Sequence, residues 1–112
     1  GKADMAEMAW MTNDPDTLPF LALRTESWPD QGGFNSGYYS NPKVDELLNA
    51  ARSSTDQNER ARLYQEMQTI VQDDAPWVFV ANWKQNAVTN SSVENFSLQP
   101  SFFLLLKDVV KN

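Results

Sequence analysis

The sequence predicts an α/β fold in which an antiparallel helical hairpin packs on a β-sheet. Residues 41–76 carry two apolar stripes with the 3.6-residue period of helices, separated by a few polar residues. Shorter apolar runs before and after this hairpin have the length of strands. Two helices alone bury too little apolar surface to offset the conformational entropy lost on ordering them. The stripes therefore need a further layer, which the flanking runs can supply.

Composition describes a folded domain and excludes several classes of function. Of the 112 residues, 41% are hydrophobic and 21% are charged, as in ordinary globular proteins. The net charge of −6 would repel the phosphates of nucleic acid, so no nucleic-acid partner is expected. Without cysteine there is no disulfide, thiol nucleophile or thiolate metal site. No apolar run approaches the roughly 20 residues of a membrane helix. Because Gly1 is no initiator, we expect a piece of a longer chain.

The N-terminal run, residues 5–11 (MAEMAWM), is almost continuously apolar and predicts a buried strand. A short helix is the alternative, since Ala, Glu and Met are good helix formers. Turn residues from Thr12 to Pro15 end the run abruptly. Beyond them, Asp16 or Thr17 can cap a short helix through residues 18–23, with Pro19 restricted to the first turn.

Residues 27–40 read as a loop. They include the segment WPDQGGFNSGYY, in which Gly and Pro alternate with aromatic residues. The density of Gly and Pro marks a loop, and the aromatic side chains predict that it packs on the protein or binds something.

The helical hairpin has its own start and stop signals. Asn41 can cap the first helix, and Pro42 suits the first helical position. Asp56 and Glu59 have the spacing of a capping box, and Pro76 ends the second helix. The two stripes comprise Val44, Leu47, Leu48 and Ala51, then Leu63, Met67, Ile70 and Val71. A link this short forces the helices antiparallel, with both stripes turned toward a common neighbour.

Four segments after the hairpin predict further strands. Residues 77–81 (WVFVA) are β-branched and aromatic, as buried strands are. The other three are residues 87–89, residues 93–98, and residues 102–106 with a continuation at 109–110. Together with residues 5–11 they would form the sheet.

An acidic turn, residues 13–16 (NDPD), directly follows the first predicted strand. In open α/β sheets, ligands bind beyond the carboxyl ends of strands, so Asn13, Asp14 and Asp16 are candidate ligand-binding residues. Trp10, at the end of that strand, is a candidate to stack on a ligand. The alternative is plain turn chemistry, because Asp and Asn favour turns through local hydrogen bonds. The spacing downstream does not match a calcium loop, so no metal is expected.

The carboxylate pairs Asp14/Asp16 and Asp73/Asp74 are the remaining candidates for acid–base catalysis. With no His, and no Cys, the usual nucleophile–histidine arrangements are absent from this chain. Asp73 and Asp74 lie at a helix C-terminus, where negative charge opposes the helix dipole. A solvated helix end is the simpler interpretation, and a bound partner is the alternative.

Several of these residues occur together in a known family. They are Trp10 with Asp14-Pro15-Asp16, Asn35-Ser36-Gly37-Tyr38, Ser40 through Leu48, Ala50-Ala51-Arg52, Asp56, Glu59-Arg60, Leu63-Tyr64 and Asp74 through Val78. In this combination the chain resembles the C-terminal part of the family 5 extracellular solute-binding proteins. These are the peptide, nickel and opine receptors of bacterial ABC transporters. The resemblance covers nearly the whole chain.

The resemblance implies a two-lobed α/β protein with the type II periplasmic-binding-protein fold, which closes on its ligand like a hinged trap. Residues 1–81 would belong to the second lobe, and residues 82–112 would cross back as strands toward the first. In peptide receptors of this family, an Asp shortly after the Trp pairs with the ligand's α-ammonium. Here Asn13 or Asp14 stands nearest to that position, because the interval from Trp10 to Pro15 is shorter.

The implied function is capture of a small solute, foremost an oligopeptide, and its delivery to a membrane permease. No catalysis and no cofactor are implied. The implied location is periplasmic or extracellular, and the resemblance leaves open whether a lipoprotein anchor is present.

Two other classes of function stay open on the sequence. An enzyme would use Asp14 and Asp16 and would need groups from outside this chain. A protein-interaction module would use the hairpin, with both stripes partly exposed. For the chain by itself we also expect a homodimer, because unpaired strand edges favour pairing with another copy.

Overall fold

The computed structural model describes residues 4–112, which divide into two compact units. The helical unit, Thr12–Phe79, contains three α-helices. The terminal unit combines residues 4–11 with Val80–Asn112 and contains a two-stranded antiparallel sheet. Among the described residues, no helix is long and apolar enough to cross a membrane.

The helices of the helical unit are α1 (Thr17–Ala22), α2 (Pro42–Ser53) and α3 (Gln57–Asp74). The short helix predicted after the acidic turn is therefore confirmed, with Pro19 in its first turn. The predicted cap is wrong for Asp16, which occupies the N-cap position without a side-chain capping bond. Two single turns of 3-10 helix, Thr25–Ser27 and Pro29–Gln31, lie in the segment between α1 and α2.

Side-chain caps start both long helices, as predicted. The Asn41 side chain accepts hydrogen bonds from two backbone N–H groups in the first turn of α2, the shorter at 2.9 Å. Asp56 does the same for α3 at 2.8 and 3.0 Å. The second half of the predicted capping box does not form. Glu59 pairs with Arg62 at 2.8 Å, while the Asp56 N–H donates to the Ser54 hydroxyl.

The two stripes bury each other, so the hairpin prediction is confirmed, while the sheet that would cover the hairpin stays a prediction. The start of α2 meets the end of α3, where the Asn41 amide donates to Asp74 at 2.7 Å, so the helices run antiparallel. All predicted stripe residues are buried except Ile70, which is half-buried, and Tyr64 joins them. Within the helical unit, Leu23, Tyr39 and Trp77 pack against this core.

Most of the predicted strands are absent from the described residues. The sheet consists of β1 (Val93–Glu94) paired with β2 (Val110–Lys111). Residues 5–11 form neither a strand nor a helix, and residues 77–81, 87–89 and 102–106 form no strand. Val78 and Val80 are 75% and 89% exposed. An apolar run becomes a strand only where another strand completes its hydrogen bonds, and these runs lack such a neighbour among the described residues.

Asn35 organises the loop between α1 and α2. Its side chain is fully buried, and its amide donates to the carbonyl oxygens of Arg24 at 3.0 Å and Tyr39 at 2.8 Å. Its oxygen accepts the Tyr39 N–H at 3.0 Å, and the Trp28 indole donates to the Tyr39 carbonyl at 3.1 Å. The loop thus packs on the protein, as its aromatic residues predicted. A buried amide with several partners fixes its path, because breaking one bond leaves a buried polar group unpaired.

Gly33 is required by a close approach of two backbone segments. A Cβ atom placed on Gly33 would lie 2.0 Å from the carbonyl oxygen of Ser27. That oxygen also accepts the Asn35 N–H at 2.8 Å, so it cannot move away without breaking the loop.

We expect Gly33→Ala to lower the free energy of unfolding by about 3 kcal/mol, the upper range for overpacking a tight site. Gly37→Ala is the matched control, since a Cβ there meets nothing within 4 Å. Urea denaturation of both variants measures the difference. Equal stability of the two variants would contradict the close approach.

We expect Leu47→Asp to cost about 4 kcal/mol or more, because it places an unpaired charge at a buried position of the hairpin core. Asn49→Asp introduces the same side chain at an exposed position of the same helix and should leave the melting temperature nearly unchanged. Thermal unfolding followed by circular dichroism tests both. An unchanged melting temperature for Leu47→Asp would refute burial of the first stripe.

Candidate functional site

The acidic turn, residues 13–16, lies at the start of α1 in the helical unit. Asn13 and Asp14 are exposed. The Asp16 N–H donates to the Asp14 Oδ1 atom at 2.7 Å, which is a local turn bond of the kind that Asp favours. That bond uses one oxygen of an exposed carboxylate and restrains the Asp14 side chain.

Asp16 has a different environment from Asp14, although the two residues are so close in sequence. Its side chain is 19% exposed. Its Oδ1 atom accepts a hydrogen bond from the Tyr64 hydroxyl at 3.1 Å, and its Oδ2 atom lies 3.6 Å from Arg52 Nε. Because Arg52 belongs to α2 and Tyr64 to α3, Asp16 ties the turn to both helices of the hairpin.

Tyr64 is well suited to hold this contact. Its ring is part of the hairpin core, so packing fixes the position of its hydroxyl. Burial of the ring, followed by the field of Asp16, raises the pKa of Tyr64 above its ordinary value of 10.0, despite the opposing hydrogen bond with Arg60. The hydroxyl therefore keeps its proton at neutral pH and donates a hydrogen bond to Asp16.

Two arginines flank the ring of Phe20 in α1. The Arg52 guanidinium lies 3.5 Å from the ring centroid, and the Arg24 guanidinium lies 3.9 Å from it. These cation–π contacts restrain the Arg52 side chain that also pairs with Asp16. The acidic turn is thus connected to a cluster of α1, α2 and α3 side chains.

A cavity of about 120 Å³ lies beside the turn and is lined by Asp14, Pro15, Gln57, Arg60, Ala61 and Tyr64. Its wall carries one carboxylate and one guanidinium. A hydrogen bond with Tyr64, and then the charges of Asp14 and Asp16, raise the pKa of Arg60. Arg60 is therefore positively charged at neutral pH. Among the described residues, no group of three or more His, Cys, Asp or Glu side chains has the arrangement of a metal site.

The structure brings three of the four predicted site residues together. Asn13, Asp14 and Asp16 share the turn, whereas Trp10 belongs to the terminal unit and is half-buried. The sequence interpretation missed Tyr64 and Arg52, the partners of Asp16. The resemblance contained both residues, but nothing in their local pattern indicates a contact with a turn 48 residues away from Tyr64.

The second carboxylate pair lies at the other end of the hairpin. Asp74 Oδ2 accepts hydrogen bonds from the Tyr39 hydroxyl at 2.5 Å and from the Asn41 amide at 2.7 Å. These bonds to the charged form, from Tyr39 and then Asn41, hold the pKa of Asp74 below its ordinary value of 3.8. Both Asp73 and Asp74 are exposed, so the predicted solvated helix end is confirmed, and Asp74 in addition has two partners within the chain.

Comparison with known proteins shows similarity to periplasmic binding proteins. The chain is 34% identical over 97 residues to the glutathione-binding protein GsiB of Pectobacterium atrosepticum. It is 35% identical over 102 residues to the probable D,D-dipeptide-binding periplasmic protein DdpA of Escherichia coli. It is 26% identical over 100 residues to di/tripeptide-binding protein 4 of Pseudomonas aeruginosa. No family model matches the chain.

The matches cover most of this chain but only a small part of each relative. They cover 87%, 89% and 89% of the chain, respectively. The chain spans about one fifth of the length of each relative, 19% in all three cases.

The Asp74 contacts predict a pH-dependent contribution to stability. Because the folded pKa of Asp74 lies below 3.8, its bonds stabilise the fold above that pH, and the stabilisation is lost as pH falls through the lowered value. We expect Tyr39→Phe to lower the free energy of unfolding at pH 6 and the deficit to shrink in strong acid. Urea denaturation across a pH series measures this.

Asp74→Asn should also lower the free energy of unfolding at pH 6, and Asp73→Asn is its control in the same series. Asp73 is exposed at the same helix end, so its loss removes an equal charge without these two bonds. A Tyr39→Phe deficit that is the same at every pH would contradict the role given to the Asp74 carboxylate.

Proposed function

Because the chain belongs to the family 5 solute-binding proteins of bacterial ABC transporters, we propose that it is a segment of a receptor that binds a small peptide. The receptor captures the peptide between two lobes and delivers it to a membrane permease. The chain forms the C-terminal part, with residues 1–81 in the second lobe and residues 82–112 crossing back toward the first. The location is periplasmic, like that named for the Escherichia coli relative.

The chemistry of the relatives' ligands supports a peptide. The relatives are named for glutathione, D,D-dipeptides and di- or tripeptides. All of these are small peptides, and peptides with a free N-terminus carry an ammonium group at neutral pH. A carboxylate that is exposed but held in one orientation suits an ammonium group, since it offers a charge-assisted hydrogen bond.

The exposure of Asp14 is the observation on which the site assignment rests. It is exposed, while its neighbour Asp16 is engaged with Tyr64 and Arg52. In this proposal Trp10, Asn13, Asp14 and Asp16 lie along the ligand cleft, with Asp14 as the contact to the ammonium group.

Exposed apolar side chains support the view that further protein chain covers this one. In the helical unit, Val78 and Phe79 are exposed, and in the terminal unit Trp83, Val88 and Leu104 are exposed. Apolar surface of this kind marks an interface. The greater length of the relatives makes the rest of the same receptor the occupant we propose, in place of a homodimer.

The two rival functions have less support. A hairpin interaction module would leave both stripes partly exposed, but Leu47 is 3% exposed and the stripes bury each other. The relatives are binding proteins and not enzymes, which favours a non-catalytic role.

We expect Asp14→Asn in the longer protein to weaken binding of a peptide with a free N-terminus by about 1–3 kcal/mol, through loss of a charge-assisted hydrogen bond. Titration calorimetry with L-Ala-L-Ala, D-Ala-D-Ala and glutathione measures this. Asp73→Asn, an equal change of charge at the far end of α3, is the control and should bind normally. Equal affinity of Asp14→Asn and wild type would remove Asp14 from the site. No binding of any of the three peptides by wild type would refute the peptide receptor.

A further inference from the structure

We propose that Tyr64 is a positioning residue for ligand recognition, which acts through Asp16 to orient the Asp14 carboxylate. This inference rests on the proposed function, because it concerns the same peptide-binding turn. In this inference Asp16 supports the turn and does not contact the ligand. Tyr64 holds Asp16 in place, a role that no feature of its local sequence indicates.

The contacts form a continuous path from the hairpin core to the exposed carboxylate. The Tyr64 ring is buried in the core, and its hydroxyl donates to Asp16 Oδ1 at 3.1 Å. The Asp16 backbone N–H then donates to Asp14 Oδ1 at 2.7 Å. The position of Asp14 is therefore set by the packing of α3, through two hydrogen bonds in series.

Asp16 is better placed to support the turn than to contact a ligand. Each of its oxygens faces a partner, Tyr64 Oη on one side and Arg52 Nε on the other. A ligand ammonium would have to displace one of them. The bond that orients Asp14 uses only its Oδ1 atom, and the side chain is exposed, with Arg60 as its charged neighbour in the cavity.

Tyr64 matters more than Arg52 in this arrangement. The Arg52 pair is long, at 3.6 Å, and Arg52 is 42% exposed, so solvent screens much of its attraction. The Tyr64 hydroxyl comes from a buried ring whose position is fixed, so its bond loses little entropy on forming. Orientation of a binding group before the ligand arrives reduces the ordering cost of binding.

A double-mutant cycle in the longer protein tests the path. We expect Tyr64→Phe to weaken binding of L-Ala-L-Ala about fivefold, the effect of one lost hydrogen bond. In the Asp14→Asn background the same change should have no further effect, because the group that Tyr64 positions is already lost. N-acetyl-L-Ala-L-Ala, which has no ammonium group, should bind equally to wild type and Tyr64→Phe.

Tyr39→Phe is the matched control, because it also removes a tyrosine–aspartate hydrogen bond, at the far end of the hairpin. It should leave both affinities unchanged. If Tyr64→Phe weakens both peptides equally, or if its effect adds fully to that of Asp14→Asn, Tyr64 contributes only general stability and the inference is overturned.

A second measurement needs no ligand. Amide hydrogen exchange in the 112-residue chain reports the Asp16 N–H that donates to Asp14. We expect exchange about fivefold faster in Tyr64→Phe and unchanged in Tyr39→Phe. An unchanged Asp16 rate in Tyr64→Phe would overturn the positioning path even if peptides bind. Absence of peptide binding with the expected exchange result would instead refute the proposed function, and with it the recognition role, while leaving the path intact.

Discussion

The packing of α2 against α3 is the constraint on which the rest of the helical unit depends. Helices in proteins draw most of their stability from the packing of an apolar face, and here mutual burial of the two stripes supplies it. Once the pair is packed, each end of it holds another segment. Asp74 accepts from Tyr39 and thereby fixes the end of the loop, while Tyr64 reaches Asp16 and fixes the acidic turn.

The residues that carry the family resemblance are therefore mainly residues of this scaffold. Asn41 and Asp56 cap helices, and Asp74 joins the helix ends. Asp45 accepts the Thr25 N–H at 3.0 Å and the Thr25 hydroxyl at 2.6 Å, which ties the loop to α2. Asn35 holds the loop itself. Residues of this kind hold the helices and the loop in place and do not by themselves indicate a ligand.

The sequence predicted what is local and failed where partners are distant. The hairpin, its N-caps Asn41 and Asp56, and α1 follow from spacing within a few residues, and these form. The strand predictions at residues 5–11 and 77–81 were wrong because a strand depends on neighbours that its own pattern does not contain. The same limit applies to the site. The sequence of residues 13–16 predicts the turn, but Tyr64, which supports it, lies 48 residues further along the chain.

Under the proposed function, turn chemistry and ligand binding are not alternatives in the acidic turn. Asp14 and Asp16 are the same residue type, and the bond between them is ordinary turn chemistry. Their environments separate their roles, because Asp16 faces the hairpin and Asp14 faces solvent. A carboxylate can recognise a cation selectively only if something else holds it in place, and here the turn bond does so. In that proposal, local hydrogen bonding is the means by which the exposed Asp14 carboxylate would become a defined binding group.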